Sequence, residues 1–562
     1  MALGTGYFIA LTIFIIWIVA ITILEKKGIL EKWGLSRIWG FALMWRTKKG
    51  RTLIDKMARP KGFWRVFLLA GMYVFYLGMA FMFIMLFIST VLVITTPFAR
   101  PLGAEEVLVI PGINPYVPFI YGLIALIIAV VAHEFSHGII ARVEGFRVKN
   151  LGLLFAVIPI GAFMEPDEEE VSKGPRLKRI KMYVAGPLIN FAMAVFFMIL
   201  FSTVFIGSLS AEEDPFIITD MSKKSPLAIQ LDDRPQAIFS VEGVDISTIS
   251  DILEVEVPNP GEVVKIDMKL GTGERVILPT ISGVVIWGVQ DDTPADKANI
   301  TSGSIIYSLD GVVIKNKDIF TEEMDEKGAG QDVRLVLLEP VKNEDDEIVK
   351  NRSLDLDATD IKGEFSRVPE YTMVSKNITL KDKYEVYPLA RFEGKGYIGI
   401  SSSYLGIING KGSDEFLDRI GRPLSSADSL AEARDNMMYI TFALPLELDL
   451  MPIHEPLTEI YQIDGPVSFL PDGVFWFLTN TIFYLFWINI LLGLFNALPA
   501  VPLDGGFVFK DSIVLAGRSF LSGKHMERLE KISNIAIWIT SLSVLFMILI
   551  TIFLPWLKPT IF

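Results

Sequence analysis

Apolar residues in this chain come in long blocks, unlike the narrow stripes of soluble helices. Six blocks approach or exceed the ~20 residues that cross a bilayer. They are Gly6 to Leu24, Val66 to Ile94, Pro118 to Ile140, Tyr183 to Ile206, Val474 to Leu494 and Ile532 to Leu554. The second is long enough to predict a tilted span. Between the fourth and fifth blocks the pattern changes. Residues 208 to 473 are polar, with short alternating apolar segments divided by turn residues, which predicts strands with some helix. The expected fold is a polytopic α-helical membrane protein with six transmembrane helices and a large α+β insert.

Charge sets the expected orientation. Lys26 and Lys27 follow the first block and no basic segment precedes it, so a retained span is expected, not a cleaved signal peptide. The next loop is strongly basic, with Arg46, Lys48, Lys49, Arg51, Lys56, Arg59, Lys61 and Arg65. The loop from Thr95 to Val117 has one base, Arg100, whereas the third loop carries Arg147, Lys149, Lys173, Arg176, Lys178, Arg179 and Lys181. Basic loops stay cytoplasmic. Both termini and the insert are therefore expected to be extracytoplasmic. The net charge of −13 lies mostly in loops and the insert, and makes no case for nucleic-acid binding. The chain has no cysteine, so neither a disulfide nor a thiolate ligand is available.

The insert contains a repeat. "SPLAIQLDDRPQAIFSVEGVDI" from Ser225 and "TPADKANITSGSIIYSLDGVVI" from Thr293 align without a gap, pairing Pro226 with Pro294 and Gly243 with Gly311. Two copies of one small domain are expected. The second copy resembles the PDZ family, which implies capture of an extended peptide or a C-terminal carboxylate by strand addition. "GKGYIGI", Gly394 to Ile400, is similar to a PDZ carboxylate loop in a circularly permuted order. The expected organisation is two helices and a basic loop (1–117), catalytic-core helices three and four (118–207), two PDZ-like domains (208–281 and 282–402), an interfacial connector (403–473) and the last two helices (474–562).

The third block holds the chemistry. "LIALIIAVVAHEFSHGIIA", residues 123 to 141, places His133, Glu134, Ser136 and His137 in an apolar run. Ionisable groups at membrane depth cost several kcal/mol without partners. His133 and His137 form H-E-x-x-H, which on a helix directs both imidazoles to one metal ion, with Glu134 beside it. The chain has only four histidines. His454-Glu455 also begins H-E, but Thr458 stands in the fifth position and Pro456 opposes a helix. His525 reads as a surface residue. Ser136 is expected to bond its own helix backbone. A catalytic zinc site usually takes three protein ligands. Asp504, in "FNALPAVPLDGG" (495 to 506), is either the third ligand or the N-cap of the following helix.

Three stretches, "HEFSH", "AGPLIN" (Ala185 to Asn190) and "NALPAVPLDGG", together resemble the site-2 protease family of intramembrane zinc metalloproteases. They cover the third, fourth and fifth blocks in the family's order. The resemblance implies one Zn2+ held by His133, His137 and Asp504, with Glu134 as general base and Asn496 as a catalytic amide at the oxyanion. It implies substrate contact by Asn190 and by an edge strand at Gly152, Leu153, Leu154 and Phe155, in a β segment that dips into the membrane. The implied activity is cleavage within the transmembrane segment of single-pass substrates, in regulated intramembrane proteolysis at a prokaryotic, archaeal cell membrane. The alternatives are another membrane zinc protease, acting on prenylated or misfolded proteins, and a silent PDZ scaffold.

Overall fold

The structure, a computed structural model, describes residues 2–47, 50–95, 110–211, 213–231, 236–270, 273–343, 348, 352–353, 367–387, 390–446, 451–454, 457–518 and 525–561. Arg100 and Glu455 lie outside them. The chain divides into two units, Met1–Phe201 with Leu478–Phe562, and Ser202–Phe477.

The first unit is helical. Its longer helices are α1 (Ala2–Lys26), α2 (Lys61–Thr95), α3 (Phe119–Glu144), α4 (Arg176–Ile199), α5 (Asp472–Ala497, which begins in the second unit), α6 (Asp504–Arg518) and α7 (His525–Ile561). Among the described residues, five helices are long and apolar enough to cross a membrane: Lys61–Thr95, Phe119–Glu144, Arg176–Ser208, Asp472–Asn496 and Glu527–Trp556. The first expected block lies in α1; of that helix's side chains, those of residues 2–11 and 13 lie outside the description. Leu68 and Phe75 of α2, Ile139 and Ile140 of α3, Val184, Ala185 and Leu188 of α4, and Val508 of α6 share one buried core. Lipid tails are as apolar as leucine, so close packing holds these helices together. At the foot of α4, buried Asp511 receives Arg176 at 2.5 Å and Arg179 Nε at 2.8 Å, and Arg176 also pairs with Glu530.

A four-stranded antiparallel sheet accompanies these helices: β1 (Leu35–Ile38), β2 (Ala42–Thr47), β3 (Val148–Ala156) and β4 (Ile158–Pro166), in that order. This corrects one expectation. Gly152, Leu153, Leu154 and Phe155 are not on an edge. They pair with Arg46, Trp45, Met44 and Leu43 on one side, and with Phe163, Ala162, Gly161 and Pro159 on the other. The basic first loop, read as loop because its charges hide the pattern, supplies the β1–β2 hairpin that covers β3. The terminal strand on the other side is β4.

The second unit carries two sheets of matching design. The first comprises β5 (Phe216–Met221), β6 (Gln236–Val241), β7 (Val263–Lys269) and β8 (Arg275–Ile281). The second comprises β9 (Val284–Val289), β10 (Ile305–Leu309), β11 (Asp332–Pro340) and β12 (Tyr371–Thr379). β13 (Ile400–Tyr404) and β14 (Ile407–Gly412) follow. The orders are β8-β7-β6-β5-β14 and β12-β11-β10-β9-β13, equivalent strand for strand. Pro226 and Pro294 each open a short helix at N1. Glu242-Gly243 and Asp310-Gly311 make the same tight turn, with positive φ at all four residues. The division differs from the expected boundaries. β14, assigned above to the connector, completes the first sheet, so the second domain is nested between β8 and β14.

Candidate metal centre

α3 runs unbroken through H-E-x-x-H, so His133 and His137 lie one turn apart on one face. Both are buried, and their rings pack edge to face with centroids 4.8 Å apart. Their Nε2 atoms are 3.2 Å apart. Asp504 comes from the far end of the chain. α5 stops at Ala497, and the turn through Pro499 and Pro502 brings the chain back into α6, which Asp504 opens. Asp504 Oδ2 lies 3.1 Å from His133 Nε2 and 3.3 Å from His137 Nε2. The carboxylate is turned to the imidazoles; among the described residues no α6 backbone N–H is bonded to it.

The residues fit a zinc ion. Zinc–nitrogen and zinc–carboxylate bonds of about 2.0–2.1 Å at tetrahedral angles separate ligand atoms by about 3.3 Å. The three separations here are 3.1, 3.2 and 3.3 Å. Among the described residues, His133, His137 and Asp504 are the acid–histidine cluster whose donor atoms converge in this way.

The ring tautomers are set from behind. His137 Nδ1 donates to the Met182 carbonyl at 2.7 Å. His133 Nδ1 lies 2.7 Å from Asn190 Oδ1. With the proton on each Nδ1, each Nε2 lone pair is free for a metal. Asn190 is wholly buried, and its amide nitrogen donates to the Ala129 carbonyl at 3.2 Å and to Asn489 Oδ1 at 2.8 Å. Its amide is thus bonded to the histidine and to the neighbouring helices. Asn489 had no motif to mark it. The available signal was that it is one of two amides, with Asn480, in the fifth apolar block.

Gly186, in "AGPLIN", lets α4 approach the histidines. A Cβ there would lie 2.4 Å from His137 Nε2 and 2.5 Å from His133 Nε2. Glu134 Oε2 accepts the Met164 backbone N–H of β4 at 3.0 Å. Ser136 donates to the His133 carbonyl of its own helix, as expected. Asn496 donates to the Leu492 carbonyl at 3.0 Å, within α5. The decoy His454 bonds the Pro452 carbonyl in the second unit. A cavity of about 570 Å3 is lined by Pro166, Tyr183, Phe507, Lys510 and Asp511, among others, and by none of His133, Glu134, His137 and Asp504. Tyr183 adjoins Met182, and Phe507 lies one turn after Asp504.

The profile of peptidase family M50 matches residues 121–540, a span that includes all three donors. The chain belongs to peptidase family M50. This is the site-2 protease family of membrane zinc metallopeptidases, and five helices among the described residues are long and apolar enough to cross a membrane. A relative is an uncharacterized protein of Methanocaldococcus jannaschii, 27% identical over 210 residues, which are 37% of this chain and 54% of the relative. The chain thus spans about half the length of this M50 chain's curated relative.

Proposed function

We propose that this chain is an intramembrane zinc endopeptidase that hydrolyses a peptide bond within the transmembrane segment of single-pass membrane proteins, in regulated intramembrane proteolysis. The convergence of His133 and His137, on a helix long and apolar enough to span a bilayer, with Asp504, which opens α6 just after another such helix, carries this reading. When bound, zinc supplies Lewis acidity toward the scissile carbonyl and acidifies its water. Glu134 takes the proton of the attacking water and delivers it to the leaving amine. Asn496, once its amide leaves Leu492, donates to the developing oxyanion.

A transmembrane helix has its backbone groups bonded internally and must unwind before hydrolysis. The terminal strand β4 supports a route. Its Met164 N–H points away from β3 to Glu134, so a peptide adding to β4 would run past the general base. Strand addition thus moves from Gly152–Phe155 to Ala162–Met164.

The insert reads as tandem PDZ-like modules facing the extracytoplasmic side. β13 ends its sheet beside the helix Lys317–Asp325, whose Ile319, Phe320 and Met324 share a core with Ile398 and Ile400. A strand edge beside a helix suits an extended peptide or C-terminus, which would select substrates.

The test uses purified protein and a single-pass substrate, comparing wild type with Glu134→Gln. The expected result is one zinc per chain in both proteins and cleavage reduced by about 10²–10⁴-fold in the variant. Equal cleavage would overturn the mechanism.

A further inference from the structure

Three helices contribute to a line of polar groups running away from the metal centre through apolar surroundings. It starts at His133 Nδ1, 2.7 Å from Asn190 Oδ1. Asn190 Nδ2 then donates to Asn489 Oδ1 at 2.8 Å, and Asn489 Nδ2 donates to the Leu485 carbonyl at 2.7 Å. Both asparagines are completely buried.

The direction of this line follows from two backbone carbonyls, which can only accept. The Leu485 carbonyl requires the Asn489 amino group, so the Asn489 oxygen must face Asn190. The Ala129 carbonyl and that oxygen both require the Asn190 amino group. The Asn190 oxygen must then face His133, which forces the ring proton onto Nδ1. Turning Asn190 over would set its oxygen against two acceptors in a dry interior, where unpaired polar groups are costly. It would also offer His133 a donor, driving the ring proton to Nε2, the atom that faces Asp504. Without Asn489, only Ala129 opposes the flip.

We propose that Asn489 is a positioning residue which, through Asn190, fixes the His133 tautomer that leaves Nε2 free to bind metal. His137 needs no such relay because a backbone carbonyl holds its Nδ1 directly. The inference rests on His133 being a metal ligand.

The experiment compares wild type, Asn489→Leu and Asn489→Asp in detergent. Leucine keeps the volume and removes the acceptor. Aspartate keeps an oxygen facing Asn190. Zinc affinity is measured by chelator competition. The imidazole tautomers are read by 15N NMR of histidine-labelled, zinc-free protein, in which only four histidines give signals. The expected result for Asn489→Leu is zinc binding weaker by about tenfold, with one histidine gaining Nε2–H character. Asn489→Asp retains both the affinity and the tautomer. Equal loss in both variants would reduce Asn489 to a packing role and overturn the relay, as would an unchanged tautomer in Asn489→Leu. Failure of wild type to bind zinc would instead overturn the metal reading, and the NMR comparison would still judge the relay.

Discussion

Gly186→Ala tests how closely the fourth helix approaches the donors. The added methyl would lie 2.4 Å from His137 Nε2, 2.5 Å from His133 Nε2 and 2.6 Å from His133 Cε1. Unstrained contacts between heavy atoms fall near 3.5–4.0 Å. About 1 Å must therefore be recovered, from both rings or from the helix. A zinc site tolerates about 0.2 Å in its bond lengths, so movement of the rings removes ligands, whereas movement of the helix strains the core. Overpacking of this kind costs about 1–3 kcal/mol. If that strain falls on the metal-bound state, zinc affinity drops by roughly 5- to 150-fold, at 1.4 kcal/mol per factor of ten. Chelator competition measures the affinity, and thermal unfolding of the zinc-free protein reports on the fold. Gly71→Ala is the control. Its Cβ would press on Leu188, an apolar contact between α2 and α4, so it should lower stability without a specific loss of zinc. Wild-type zinc affinity in Gly186→Ala would refute the close approach of α4 to the Nε2 atoms.

Three further outcomes are expected. Ala162→Pro removes an N–H that shares its outward direction with that of Met164; cleavage kinetics should show a raised KM with zinc content unchanged, since only β4's free edge is altered. Asp511→Ala leaves Arg176 and Arg179 without their shared buried partner, and unfolding should show a loss of about 3–5 kcal/mol. In the insert, the backbone N–H of Arg334 and then the ammonium of Lys327 hold the Asp310 carboxyl below its ordinary range. Its stabilisation is present above the ordinary carboxyl pKa of about 4 and is lost as pH falls through the depressed value. Melting temperatures of wild type should accordingly fall faster in acid than those of Asp310→Asn.

Much of this protein can be read from local patterns. Length and apolarity mark the spanning helices because a bilayer imposes a minimum run. H-E-x-x-H carries its own geometry, since a four-residue spacing places both imidazoles on one face wherever the segment is helical. The duplication in the insert is legible because Pro226 and Pro294, and Gly243 and Gly311, perform the same backbone tasks in both copies.

What the pattern could not convey depends on partners distant in the chain. Asp504 has two plausible roles on spacing alone, and only the return of the chain after Pro502 turns its carboxylate to the histidines. Gly152–Phe155 looks like an edge until β2, from a charged loop about a hundred residues earlier, pairs with it and passes that role to β4. The nested strand β14 is likewise chosen by a neighbour far away in sequence. Asn489 is one amide in an apolar helix until Asn190 of another helix meets it. Hydrophobic periodicity is set by each segment's own surroundings, so the sequence alone determined the helices, the repeat and the histidine pair. Strand order, the third donor's orientation and the amide relay rest on directional bonds between remote segments, and only the tertiary structure decided them.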